Sequence, residues 1–202
     1  MRIGILGGSF DPIHKGHLHM AKSAYDTGVF DEIWLMPAGH SPNKSEEDMT
    51  LATHRFAMCK LAAAEYSFLR ASSFEVDSAD RSYTYLTLEK LSNQYPEHQF
   101  SFIMGADSLD YFEKWKNPQI IAALCPIYVI NRGEFSNAYL EEKIRQINAI
   151  FPARITIVPC EKYHISSSEI RSNLWQNRDY AGYLPEAVVD YIRKNHLYRI
   201  GD

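Results

Sequence analysis

Short apolar runs recur along the chain, and most are followed by a longer segment whose apolar residues fall at helical spacing. The runs are RIGIL (2–6), EIWLMP (32–37), FLRASSFEV (68–76), QFSFIM (99–104), PIYVIN (126–131) and ARITIVP (153–159). They are rich in Ile, Val, Phe, Tyr and Trp and are bounded by turn residues, so they read as strands. Segments 17–28, 51–66, 83–95, 118–125 and 137–151 read as helices, with Gly28 and Pro96 standing as stop signals just past two of them. Strands separated by helices cannot pair through tight turns. They need crossovers, and crossover helices cover both faces of a parallel sheet. The expected fold is therefore α/β, a doubly wound parallel sheet. Two further helical segments, 167–177 and 185–198, come after the last strand, with Pro185 at a position that welcomes a first-turn proline. No Pro/Gly/Ser-rich linker interrupts the sequence. We expect one domain over 1–202, with a parallel α/β core at 1–164 and a helical C-terminal part at 165–202.

Composition narrows the function classes. With 202 residues, 46% of them apolar, the chain can bury a substantial core. A net charge of −4 argues against a nucleic-acid or membrane-surface protein, which would carry a basic excess. The three cysteines, Cys59, Cys125 and Cys160, are far apart and lack zinc-ligand spacing. Reduced, mostly buried thiols in a cytoplasmic protein are the expectation. No secretory leader pattern and no apolar stretch of membrane-spanning length is present in the sequence.

In a doubly wound sheet, ligands bind outside the carboxyl ends of the strands, where strand order reverses. The residues just past each strand therefore matter most. After the first strand comes GGSFDPIHKGH (7–17). Neither the dinucleotide fingerprint GxGxxG nor the P-loop pattern is there. A glycine turn that opens a helix is still an anion site in principle, because free N–H groups and the helix dipole converge on it. Gly7, Gly8, Ser9 and Phe10 line the turn, and His14 and His17 flank Gly16 so that both imidazoles can face one phosphate. Surface histidines on a tight turn are the plain alternative. A His-x-x-His metal site lacks a third ligand, so no metal ligands are assigned.

After the second strand a polar loop carries Lys44. After the third, Ser82 and Thr84 stand near a helix start, where N-capping competes with anion binding. After the fourth, Gly105 lets a flat ligand lie on the backbone, Asp107 can accept from ribose hydroxyls, and Trp115 is a stacking candidate. After the fifth comes Arg132. After the sixth, Ser166-x-x-Glu169 matches a capping box, with Ser166 and Ser167 offering donors and Arg171 one turn further in. Donors suited to phosphate, carboxylate or ribose thus stand after all but one strand. Converging on one crevice, they would hold two phosphorylated ligands.

The stretches GGSFDPIHKGH and ISSSEIR (165–171) resemble the two signatures of the nucleotidyltransferase superfamily that transfers adenylyl groups. MPAGHSPNK, SYTYLTLEKL, FIMGADSLDYFEKW and YLPEAVVDYI are further similar to bacterial nicotinate mononucleotide adenylyltransferases, over nearly the whole chain. The sequence departs from that family where Arg-Pro-Gly is common after the fifth strand: here it reads Asn131-Arg132-Gly133.

The resemblance implies a Rossmann-like fold and the reaction of ATP, carrying Mg2+, with nicotinate mononucleotide to give deamido-NAD and pyrophosphate. It implies that His14, His17, Lys44 and Arg171 act on the phosphate chain. Gly7, Gly8, Ser9, Phe10, Gly105, Asp107, Arg132, Ser166 and Ser167 would bind ATP. Thr84, Trp115 and Lys116 would bind the acceptor, with Thr84 and the backbone at Lys116 on the carboxylate and Trp115 on the ring. The implied partners are those two nucleotides, with no nucleic acid and no membrane; a homo-oligomer stays open. Other acceptors, nicotinamide mononucleotide or phosphopantetheine, and a non-catalytic nucleotide-binding module are the rivals. A fragment of a class I aminoacyl-tRNA synthetase is disfavoured by the acidic charge.

Overall fold

The structure is a computed structural model and describes residues 1–42 and 49–198. Six parallel strands, β1 (Arg2–Gly8), β2 (Glu32–Pro37), β3 (Leu69–Ala71), β4 (Gln99–Gly105), β5 (Ile127–Asn131) and β6 (Ile155–Pro159), form one sheet in the order β3-β2-β1-β4-β5-β6. The chain builds outward from β1 to β3, returns to place β4 beside β1, and then builds the other way. The reversal lies between β1 and β4, whose pairing runs from Arg2 opposite Gln99 to Leu6 opposite Ile103. The doubly wound sheet expected from the alternation is the one observed.

The central strands are buried almost end to end, as a parallel sheet covered on both faces requires. Their side chains alternate between two cores. Leu6, Ile33, Leu35, Ile103 and Ile130 point to one face. Ile3, Ile5, Trp34, Met36, Phe102, Met104 and Val129 point to the other. The first core is closed by α1 (Lys15–Tyr25), α2 (Ala52–Ala63), α7 (Ser167–Trp175) and α8 (Glu186–Lys194). The second is closed by α3 (Thr84–Gln94), the single turn α4 (Ala106–Leu109), α5 (Pro118–Leu124) and α6 (Asn137–Ile150). Helix faces are set by spacing: Leu18, Ala21 and Ala24 on α1, and Val188, Val189 and Ile192 on α8, are buried. Both helices of the C-terminal part thus insert apolar residues into the core that α1 and α2 cover.

Two differences from the sequence-based expectation bear on the site. The third strand pairs only over Leu69–Ala71. The rest of the expected run turns back, with Asp77 N–H donating to the Ser73 carbonyl at 2.8 Å. That turn brings the Glu75 carbonyl against Gly39, where a Cβ would stand 2.1 Å from the oxygen. Gly39 is glycine because two loops touch there. The second difference is at α3, whose N-cap is Tyr83 without a side-chain cap. The Ser82 hydroxyl instead accepts the Gly39 N–H at 3.0 Å.

Candidate active site

The turn after β1 is compact and buried. Phe10 sits at φ 47°, in the left-handed region, and its ring lies under Gly8. Asp11 and His14 are almost fully buried despite their polarity. His14 is the N-cap of α1, and its own N–H donates to His17 Nδ1 at 3.2 Å. An Nδ1 that accepts puts the His17 ring proton on Nε2, making that edge a donor. The two imidazoles stack with centroids 3.7 Å apart, and Phe10 meets His17 edge-on at 4.9 Å. Burial pushes the His14 pKa down to about 4; Arg132 pushes the same way and Glu169 opposes. Its Nδ1 is buried with no hydrogen-bond partner among the described residues. At neutral pH His14 is an uncharged ring with an unsatisfied nitrogen, a costly feature that a ligand would relieve.

The two signature segments, at opposite ends of the sequence, are bonded to each other. Arg171 Nη1 donates to the Asp11 carbonyl at 2.7 Å, and the Ser167 hydroxyl donates to the Pro12 carbonyl at 3.0 Å. Ser166 caps α7 as the capping box predicts: Glu169 N–H donates to its Oγ at 3.2 Å, and its hydroxyl donates to the Glu169 carboxylate at 2.7 Å. Ser166, Ser167 and Arg171 therefore already hold structure; Arg171 has five N–H donors, so it can also reach a ligand. The Asp11 carboxylate takes the Tyr198 hydroxyl at 2.7 Å and the Thr50 N–H at 3.4 Å.

After β4, Asp107 folds back over Gly105, where a Cβ would stand 2.3 Å from its Oδ1. Arg132, just past β5, lies 3.9 Å from Asp107 and is paired with Glu134 at 2.8 Å. Its buried Nε has no partner among the described residues. Beside Arg132, an open cavity of about 450 Å³ is lined by His19 and Ser23 of α1, Asn131 and Gly133 after β5, and Pro159, Cys160 and Glu161 at the end of β6. Such a volume suits a small ligand. None of these lining residues was a candidate site residue from sequence, although Asn131, Gly133 and Cys160 were named on other grounds; only the i, i+4 spacing of His19 and Ser23 hints at a shared face.

The topology thus gathers Gly7, Gly8, Ser9, Phe10, His14, His17, Gly105, Asp107, Arg132, Ser166, Ser167 and Arg171 around the carboxyl ends of β1, β4, β5 and β6. Trp115 joins from the other core face. It is half-buried, edge-on to Phe102 (6.0 Å) and Phe112 (5.6 Å), and Phe102 itself lies beneath Gly7. Its indole Nε1 is buried and unpartnered among the described residues. Lys116 is exposed beside it, and Thr84 opens α3 with no acidic residue in the first turn. No hydrogen bond joins Thr84 to Trp115 among the described residues. Lys44 lies outside the described residues.

A charged residue that sequence reading passed over holds these loops from behind. Arg55 on α2 is 1% exposed. Its Nε donates to the Thr50 carbonyl at 2.8 Å, Nη1 to the Ser9 carbonyl at 2.7 Å, and Nη2 to the Ala38 carbonyl at 2.6 Å.

Comparisons with known proteins bear on the family and the fold. The family model described as cytidylyltransferase-like matches residues 5–173. A Clostridium botulinum protein named "Probable nicotinate-nucleotide adenylyltransferase" is 35% identical, with 98% of each chain covered. A Clostridium perfringens protein of the same name is 36% identical, again with 98% of each covered. The Plasmodium falciparum nicotinic acid mononucleotide adenylyltransferase, solved in complex with NaAD, superposes with a TM-score of 0.80 at 25% identity, covering 98% of this chain and 97% of that one. The signature pair, the strand order and these full-length likenesses agree: the chain belongs to the cytidylyltransferase-like family, among its nicotinate-nucleotide adenylyltransferases.

Proposed function

We propose that this protein transfers the adenylyl group of ATP to nicotinate mononucleotide, releasing pyrophosphate and giving deamido-NAD, a step of NAD biosynthesis. The observation that carries the reading is the His14–His17 pair at the reversal between β1 and β4, where His17 Nε2–H is a donor beside the N-terminus of α1. Relatives named for this activity cover the whole chain, and a structural neighbour binds NaAD.

In this reaction an oxygen of the acceptor's phosphate bonds to the α-phosphorus of ATP while the bond to pyrophosphate breaks. The attacking phosphate is already ionised at pH 7, so neither a strong base nor a covalent intermediate is required. What the protein supplies is alignment and charge stabilisation. The cavity beside Arg132 takes the adenosine, with Asp107 on the ribose. Gly8, Ser9 and Phe10 present backbone and hydroxyl groups to the phosphates. His17 donates to the α-phosphate as charge develops there. Arg171, Lys44 and the start of α7 hold the rest of the triphosphate.

The reacting nucleotide carries a divalent ion, taken to be Mg2+. Among the described residues no group of three His, Cys, Asp or Glu side chains could hold a metal. The donors around the crevice are cations, hydroxyls and N–H groups, which suit phosphate oxygens rather than an ion. Mg2+ therefore belongs to the substrate, where it offsets phosphate charge.

On the acceptor side, Trp115 stacks on the pyridine ring, and Thr84 with the backbone at Lys116 donates to the carboxylate. An amide would turn N–H groups toward donors, so the acid is preferred. The test is pyrophosphate release with ATP and Mg2+, offering nicotinate mononucleotide, nicotinamide mononucleotide and phosphopantetheine in parallel. Strong preference for the first is expected. Preference for another acceptor would overturn Thr84 and Trp115 as acid selectors, and no release with any would overturn the reaction itself.

A further inference from the structure

We propose that Arg55 is a positioning residue for the nucleotide: by gripping the Ser9 carbonyl from within the core, it orients the Ser9–Phe10 peptide so that its N–H is presented to the phosphates. The proposal rests on the function proposed above, in which the turn after β1 holds ATP.

A buried guanidinium is expensive unless its donors are satisfied. Arg55 satisfies its donors on carbonyls and, among the described residues, hydrogen-bonds to no carboxylate. Those carbonyls come from three separate places: Ser9 after β1, Ala38 and Gly39 after β2, and Thr50 just before α2. A planar fork of donors can hold three chain segments at once, whereas an ammonium is a point charge with a freer stem. Its acceptors are all backbone oxygens, so it orders loops rather than pairing with an acid.

Geometry then gives the direction. In a trans peptide the C=O and the following N–H lie in one plane and point opposite ways. The Ser9 carbonyl points at Arg55, so the Phe10 N–H points away from it. The Ala38 carbonyl also points at Arg55, and the Gly39 N–H duly points elsewhere, to the Ser82 hydroxyl at 3.0 Å. Phe10 is held at φ 47°, a conformation a phenylalanine rarely adopts unless its surroundings impose it. Arg55 grips the peptide immediately before it.

The experiment compares wild type with Arg55→Lys and Arg55→Met. Thermal midpoints and circular dichroism establish folding. Steady-state kinetics then separate KM for ATP, KM for nicotinate mononucleotide and kcat, and calorimetry measures affinity for a non-hydrolysable ATP analogue. In a folded variant, KM for ATP and the dissociation constant of the analogue should rise about tenfold or more, since small misplacements of binding groups carry penalties of that order. KM for nicotinate mononucleotide should rise less than KM for ATP, because Arg55 reaches the acceptor side only indirectly, through the Gly39 loop and its bond to Ser82. A folded variant with a lowered midpoint but unchanged ATP parameters would assign Arg55 to stability alone and overturn the proposal. So would failure of both variants to fold. If wild type itself turned over no acceptor, the reaction assignment would fall, while analogue binding would still decide the role of Arg55.

Discussion

His14 makes the acid sensitivity of the fold a quantity that can be worked out. Its pKa drops from 6.5 to about 4, chiefly because burial penalises the charged ring. Between those values the unfolded chain binds a proton that the folded chain refuses. The unfolded state therefore holds more protons, and stability falls as pH falls from about 6.5 toward 4. The gap amounts to about 3 kcal/mol once pH lies below both values, and to about 2 kcal/mol at pH 5. Urea unfolding at pH 7.5 and pH 5 measures it. Other groups also titrate in that interval, so the comparison is with His14→Asn, whose side chain suits an N-cap position but cannot take up the proton. Wild type should lose about 2 kcal/mol more than the variant on going to pH 5. Equal losses would show that His14 accepts its proton in the folded chain at an ordinary pH, and the account of a neutral, unsatisfied ring in the phosphate turn would fail.

The geometry sets three further outcomes. His17→Ala should cut turnover by about 100-fold or more, the scale of a lost donor to a developing oxyanion, and pyrophosphate release above a tenth of wild type would remove His17 from that role. Trp115→Ala should raise KM for the acceptor about tenfold with KM for ATP little changed, by the stacking it removes; Trp115→Phe should recover most of the loss, and a rise in both KM values alike would point to general loosening. Gly39→Ala drives a Cβ into the Glu75 carbonyl, backbone against backbone. A loss of about 3 kcal/mol is expected, on the order of 10 °C in Tm, and calorimetry showing a change under about 2 °C would mean the two loops part easily.

The sheet was legible because each central strand is apolar along its whole length, a pattern that parallel burial demands and that turn residues delimit cleanly. The third strand was overextended for a physical reason. Leu69–Ala71 and Ser73–Val76 have the same local preferences, and only the absence of a further pairing partner at the sheet edge lets the second half turn toward Gly39. The histidine pair and the capping box at Ser166 were legible because their bonds are local, three residues apart in both cases. Arg55 was not legible. A lone arginine among apolar helical residues reads as a solvated side chain, and its acceptors are backbone oxygens up to 46 residues away that any sequence would supply. The same holds for Arg171 on Asp11 and Ser167 on Pro12: the residues could be named, but bonds across 160 and 155 positions leave no trace in spacing.

A chain with net charge −4 that is to hold a triphosphate has to concentrate favourable potential where it is needed. The turn after β1 does so with backbone as much as with cations. Its carbonyls at Ser9, Asp11 and Pro12 are each taken by a donor from elsewhere in the fold: Arg55, Arg171 and Ser167. Every carbonyl drawn toward the protein in a trans peptide turns the following N–H the other way, as at Phe10 and Ile13. The first-turn N–H groups of α1 add their share of the helix dipole in the same place. Arg55 and Ser167 thus turn two peptide N–H groups of this loop into aligned donors, whereas the Asp11 carbonyl held by Arg171 precedes Pro12, which has no N–H to present. Alignment fixed before the ligand arrives needs no reorganisation as charge moves from the α-phosphate to the leaving pyrophosphate, and this is the form of stabilisation that phosphoryl chemistry without a base or nucleophile depends on.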